Sequence, residues 1–140
     1  MRRRLTPTQG TDTAPDEPER YDYPARRTVN AHMIPFFVAS EPPALVRRVH
    51  AWFFPGPIAS EYESYRRRGI PTTQLRGFEW NARVVPLVEG YAPDLRIYRG
   101  PLGTFLDDVR CQGEFCDWAN LDFDGSIPSH RDEILGVVQR

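Results

Sequence analysis

His50-Ala51-Trp52-Phe53-Phe54-Pro55-Gly56-Pro57 is the stretch on which the fold turns. A short apolar run without alternation, stopped by a Pro-Gly-Pro turn, is the pattern of a parallel strand buried on both faces. Working downstream, residues 58–68 predict a helix that ends with Gly69 at its C′ position. Residues 72–78 predict a second strand with Glu79 at its tip. Residues 81–90 predict a second helix, which Pro86 should bend or shorten. A third strand over 94–98, a short helix over 104–109, a fourth strand over 115–123 and a last helix over 129–138 complete the series. Ser129 and Asp132 supply a weak capping pattern for that last helix. Strand and helix alternate with short connections, which predicts an α/β fold with a parallel, doubly wound sheet. The expected spatial order is third, second, first, fourth, with a switch point between the first and fourth strands.

Upstream the reading changes. Residues 1–24 are rich in Pro, Thr, Asp, Glu and Arg with almost nothing aliphatic to bury, and are expected to be a disordered tail. Residues 25–49 form an arm and a short helix, and 50–140 the domain proper. His32-Met33-Ile34-Pro35-Phe36-Phe37-Val38 is apolar, but Pro35 argues against a central strand, so it is read as an edge segment or an apolar arm. Ser40 is expected to cap a helix over 42–49.

With 140 residues the chain suffices for one domain. All 18 of its cationic Lys/Arg positions are arginine, which excludes Schiff-base and P-loop lysine chemistry. No run of 18 apolar residues exists, so no membrane span is expected, and the arginine-rich start lacks the apolar stretch of a secretory signal. A cytoplasmic protein is the default expectation. The net charge of −1 conceals an asymmetry. Residues 1–70 hold 11 Arg against 8 acids, and residues 71–140 hold 7 Arg against 11 acids. A basic coat over the whole chain is not implied. The Arg2–Arg4 cluster reads as a solvated tail or a phosphate contact.

Two places could carry chemistry. The turn Pro55-Gly56-Pro57-Ile58-Ala59-Ser60-Glu61 puts a helix N-terminus after a strand, and Gly56 permits close approach of a ligand. Glu79 stands 23 positions after Gly56, at the next strand tip. A carboxylate roughly 20 residues after a glycine turn can bind two ribose hydroxyls. The other reading is a tight turn plus an exposed acid. The second place is Leu121-Asp122-Phe123-Asp124-Gly125-Ser126, where Asp122 and Asp124 share one face of an extended strand. Such a pair could hold Mg²⁺ or orient a nucleophile. The string also resembles the Asp-x-Asp-Gly-Thr motif of haloacid-dehalogenase-type phosphatases. That reading is set aside, because the motif there opens its domain and needs a cationic residue and further acids downstream.

The order of all the elements resembles something else. Phe53-Phe54-Pro55-Gly56-Pro57, Gly77-Phe78-Glu79-Trp80-Asn81, Arg99-Gly100-Pro101-Leu102 and Asp117-Trp118-Ala119-Asn120-Leu121-Asp122-Phe123-Asp124-Gly125 follow one another from His50 to Val138. Together they are similar to the N-terminal half of a class I S-adenosylmethionine-dependent methyltransferase, and more narrowly to divergent or truncated viral and mobile-element members. The resemblance implies a partial Rossmann-like sheet and S-adenosylmethionine as cofactor. Pro55 and Gly56 would lie under its methionine end, Glu79 on its ribose, and Gly100 and Leu102 along its adenine. Asp122, with Asp124, would face the reacting methyl group, no metal being implied. It also implies a relation to nucleic-acid modification. The pattern departs from the family in having one glycine in the first loop, no aspartate after the third strand, and Asp-Phe-Asp-Gly at the fourth.

The remaining residues read more plainly. His32, His50 and His130 are dispersed. Cys111 and Cys116 read as a reduced pair. Arg66-Arg67-Arg68 closes a helix where positive charge is favourable, with phosphate binding the second reading. Trp52, Trp80 and Trp118 read as core aromatics. Two functions compete: a methyltransferase-like domain that binds a nucleotide-type cofactor, and a non-enzymatic accessory protein that keeps the fold. The fourth strand is expected to present an apolar edge, covered by a second copy, a partner protein or the arm at 32–38.

Overall fold

The computed structural model describes residues 29–122 and 127–140. The tail expected over 1–24, with its Arg2–Arg4 cluster, and Phe123, Asp124, Gly125 and Ser126 lie outside the described residues. A turn of π-helix at Val29–Met33 runs into helix α1 (Ile34–Ser40). Strand β1 (Ala51–Phe53), helix α2 (Ser60–Arg67), strand β2 (Leu75–Glu79) and helix α3 (Val85–Tyr91) follow. Strand β3 (Arg96–Arg99), helix α4 (Leu102–Asp107), strand β4 (Trp118–Asn120) and helix α5 (Arg131–Val138) complete the order.

The four strands make one parallel sheet in the order β3-β2-β1-β4. This is the expected α/β Rossmann-like arrangement. Alternation along the strands divides the interior in two. Ala51, Phe53 and Leu75 face a first core with Tyr65, Ile70, Val88 and Ile34. Trp52 and Phe78 face a second with Leu102, Phe105, Cys111 and Val137. In the second core Trp52 meets Phe105 edge-on, with ring centroids 5.3 Å apart. The Arg76 guanidinium lies 5.3 Å from the Phe105 centroid, and Glu114 bridges Arg76 and Arg96 at 3.2 and 3.3 Å.

The arm corrects the sequence reading. Residues 34–40 are helical rather than an edge segment, because Pro35 falls in the first turn, where its missing N–H breaks no helical bond. Ser40 ends this helix instead of capping the next one, its hydroxyl donating to the Phe37 carbonyl at 2.6 Å. Of the helix expected over 42–49, only a 3₁₀ turn at Val46–Arg48 forms. Ile34 is fully buried, and the Phe37 ring stacks on Trp118 with centroids 4.5 Å apart. Trp118 in turn donates its indole N–H to the Tyr65 hydroxyl at 2.7 Å. The arm therefore contributes to the first core and rests on the fourth strand.

The strands are shorter than expected at their starts. Residues 72–74 make a 3₁₀ turn, and at 115–117 the chain is still entering the sheet. There the Asp117 carboxylate accepts the His50 N–H at 2.8 Å. Pro86 shortens its helix as expected, by standing in the first turn. Trp80 is a correction: it is 65% exposed, because it follows the last residue of β2, where the sheet no longer covers it. Cys111 and Cys116 are unbridged in the second core, and burial pushes the Cys116 thiol up to about 11.

Gly69 behaves as its position predicts. Its φ is +92°, its N–H donates to the Arg66 carbonyl and the Ile70 N–H to that of Tyr65. These are the two bonds of a Schellman motif, and buried Ile70 and Tyr65 supply its apolar contact. Gly69→Ala is expected to cost about 1–2 kcal/mol, because an L residue resists that φ. Urea denaturation of the two proteins checks it, and an unchanged midpoint would contradict this account of the helix end.

Candidate functional site

The carboxyl edge of the sheet gathers the ends of four strands. Phe53 of β1 lies opposite Gly77 of β2 and Asn120 of β4, so two residues further on Pro55, Glu79 and Asp122 follow neighbouring positions. Glu79 pairs with Arg99 of β3, and the Gly100 N–H donates to the Glu79 carbonyl at 3.0 Å. Gly100, Glu79, the Gly56 turn and Asp122 thus succeed one another along one edge.

Their surroundings differ. The Glu79 carboxylate is half-buried and folds back over its own turn, where Oε1 accepts the Asn81 N–H at 2.8 Å. Burial holds this carboxyl above the usual carboxylate range, an effect the N–H groups of Asn81 and Trp80 partly offset. Gly100 has φ +154°, and a Cβ there would stand 3.3 Å from the Tyr98 ring. Asp122 is exposed, two residues beyond β4. Leu102, in the first turn of α4, is buried in the second core. Asp124 lies outside the described residues.

The glycine turn is closed. Pro55, Gly56 and Pro57 are all buried, with Gly56 at φ +61° and Ala59 at +47°. The π-helical turn reaches the start of α2, where the Asn30 amide donates to the Ser60 hydroxyl at 3.1 Å. Gly77 keeps the neighbouring strand clear, since a Cβ there would meet Pro55 at 3.4 Å and Leu95 at 3.2 Å.

The sequence reading gave Glu61 no role. It is 2% exposed in the first turn of α2. Its charge reaches Tyr65 one turn on, and together with burial it pushes the Tyr65 hydroxyl pKa up, burial being the larger cause. The four-residue spacing to Tyr65 was the available signal. The Glu61 carboxyl group stands in the first turn of α2, beside the glycine turn.

Among the described residues no three His, Cys, Asp or Glu side chains gather as metal ligands. No described helix is long and apolar enough to cross a membrane. Comparison with models of known protein families, with curated proteins and with solved structures finds no match for this chain.

Proposed function

We propose that the carboxyl edge binds a nucleoside-type cofactor that carries positive charge and no phosphate, S-adenosylmethionine being the ligand of that chemistry, in a methyltransferase-like protein. The observation that carries the reading is the juxtaposition of Glu79 and Gly100 at adjoining strand ends. A half-buried carboxylate there can accept both hydroxyls of a ribose, and the neighbouring glycine leaves room for the base. Trp80, exposed beside Glu79, offers an aromatic face.

Charge favours this class over a dinucleotide. A pyrophosphate needs an open glycine loop and an uncompensated helix N-terminus. Here the loop is buried and Glu61 adds a carboxylate at that helix start. With Glu79 and Asp122 the edge suits a sulfonium and an ammonium group better than phosphates. Asp122 stands level with Glu79 on the other side of the glycine turn, and orients an acceptor in this reading.

A second reading has its own support. The buried Pro55-Gly56-Pro57 turn also fits an accessory protein that keeps the fold without the reaction. Calorimetry with S-adenosylmethionine separates the two. Measurable binding that Glu79→Ala abolishes supports the cofactor reading, and no heat at millimolar ligand assigns the chain to the second.

The pH dependence has a defined sign. A carboxyl with a folded-state pKa above its unfolded value binds its proton more tightly when folded. Its contribution to stability is present below the unfolded pKa and is lost as pH rises through the folded one. Ribose binding needs the ionised form, so affinity should rise across the same interval. Glu79→Gln, which keeps an acceptor for the Asn81 N–H, should abolish both dependences. A wild-type affinity that is flat from pH 4 to 8 would remove Glu79 from the site.

A further inference from the structure

Five arginines gather at the opposite edge of the sheet. Val49 is 4% exposed and Val46 packs on the same core, so Arg47 and Arg48 between them stand outward and exposed. A Cβ on Gly69 would lie 3.8 Å from the Val46 side chain, which sets this turn against the end of α2. There Arg66, Arg67 and Arg68 follow one another. A helix that connects two parallel strands runs back against them, so its C-terminal end lies at the amino edge. The arginines are thus a sheet's length from Glu79.

Among the described residues few acids stand beside them, the nearest outside 41–70 being Asp117 on the His50 N–H. Within 41–70 the acids are Glu41, Glu63 and the buried Glu61. Glu63 meets Arg67 at 3.9 Å, and both are exposed, which makes a weak pair. Arg66 and Arg68 each donate one guanidinium N–H to a backbone carbonyl, of Ile70 at 3.3 Å and of Ser64 at 3.0 Å. Those bonds hold the two groups in place and leave their other donors for a ligand. The Arg47 and Arg48 side chains make no hydrogen bond or ion pair among the described residues.

We infer that this arginine cluster docks the phosphate backbone of a nucleic acid. Guanidinium forks match pairs of phosphate oxygens, and a row of like charges is relieved by a row of opposite ones. The partner class follows from what the patch lacks. Leu45 is the one exposed large hydrophobic side chain within 41–70. A lipid surface is held by an apolar anchor as well as charge, and a protein interface by an apolar centre. A polyanion binds through counterion release alone.

The inference is independent of the cofactor reading. The full chain is titrated against a fluorescein-labelled DNA strand, its duplex and the RNA of the same sequence, across a salt series. Binding should weaken linearly in log K against log salt. Arg47→Ser/Arg48→Ser should lower the slope by about 1.4 for single strands and about 1.8 for duplex. These side chains are exposed and make no hydrogen bond or ion pair among the described residues, so circular dichroism should show the variant folded. Arg131→Ser, an exposed arginine on α5, should leave the slope unchanged. Absence of binding to all three probes at low salt overturns the proposal. So does a double variant with the wild-type slope, or tighter binding to phosphatidylserine vesicles than to nucleic acid. S-adenosylmethionine calorimetry on the double variant reports on the other edge, so the two readings fail separately.

Discussion

Trp52→Ala is expected to destabilise the protein by about 3–5 kcal/mol, the usual cost of emptying a buried aromatic site. The indole is 2% exposed and sits edge-on to Phe78 at 5.5 Å and to Phe105 at 5.3 Å. Phe105 also meets Phe78 at 4.8 Å and Tyr98 at 5.1 Å, so Trp52 joins β1 to a cluster that spans β2, β3 and α4. Each such pair adds about 0.5–1.5 kcal/mol beyond burial. Domains of this size hold only about 5–15 kcal/mol in total, so the variant should unfold at much lower urea. Trp80→Ala is the contrast. Its ring is 65% exposed, and a change within about 0.5 kcal/mol is expected. Denaturation followed by circular dichroism tests both, and equal costs for the two tryptophans would contradict the described core.

Ile34→Ala should cost about 2–4 kcal/mol, although it lies before the first strand. Its side chain is fully buried among Phe53, Tyr65 and their neighbours. Phe37 on Trp118 and Asn30 on Ser60 hold the same segment at two further points. Phe36, two residues along the helix, is 79% exposed and should be replaceable by alanine at negligible cost. A detachable arm predicts the reverse: little effect from Ile34→Ala and early proteolytic loss of residues before 41 in the wild type. Protease digestion with mass analysis decides this alongside the denaturation midpoint.

Much of the fold was legible in the sequence, because its signals are local. The apolar run ending in Pro55-Gly56-Pro57, the glycine at the end of α2 and the strand-helix alternation are all written in neighbouring residues. The handedness of parallel crossovers then turns that alternation into a strand order, which the sheet follows. The gathering of Glu79 and Gly100 at the carboxyl edge came with it, while their register and backbone bond are seen only in the folded sheet.

What the sequence by itself determined is therefore the sheet and the placing of Gly56, Glu79, Gly100 and Asp122 along one of its edges. Tertiary structure alone decided the rest. A seven-residue helix such as α1 has no stability of its own and forms because Ile34 and Phe37 find a core assembled from distant segments. Trp52 and Trp80 share a residue type and a strand-proximal position, yet only one has a layer of side chains above it. Gly56 and Glu61 are buried in a folded chain whose Asn30 bonds Ser60 beside them. Arg47 and Arg48 join Arg66–Arg68 because Val46 packs beside Gly69. Each depends on which surfaces meet, and no local period in the sequence records that.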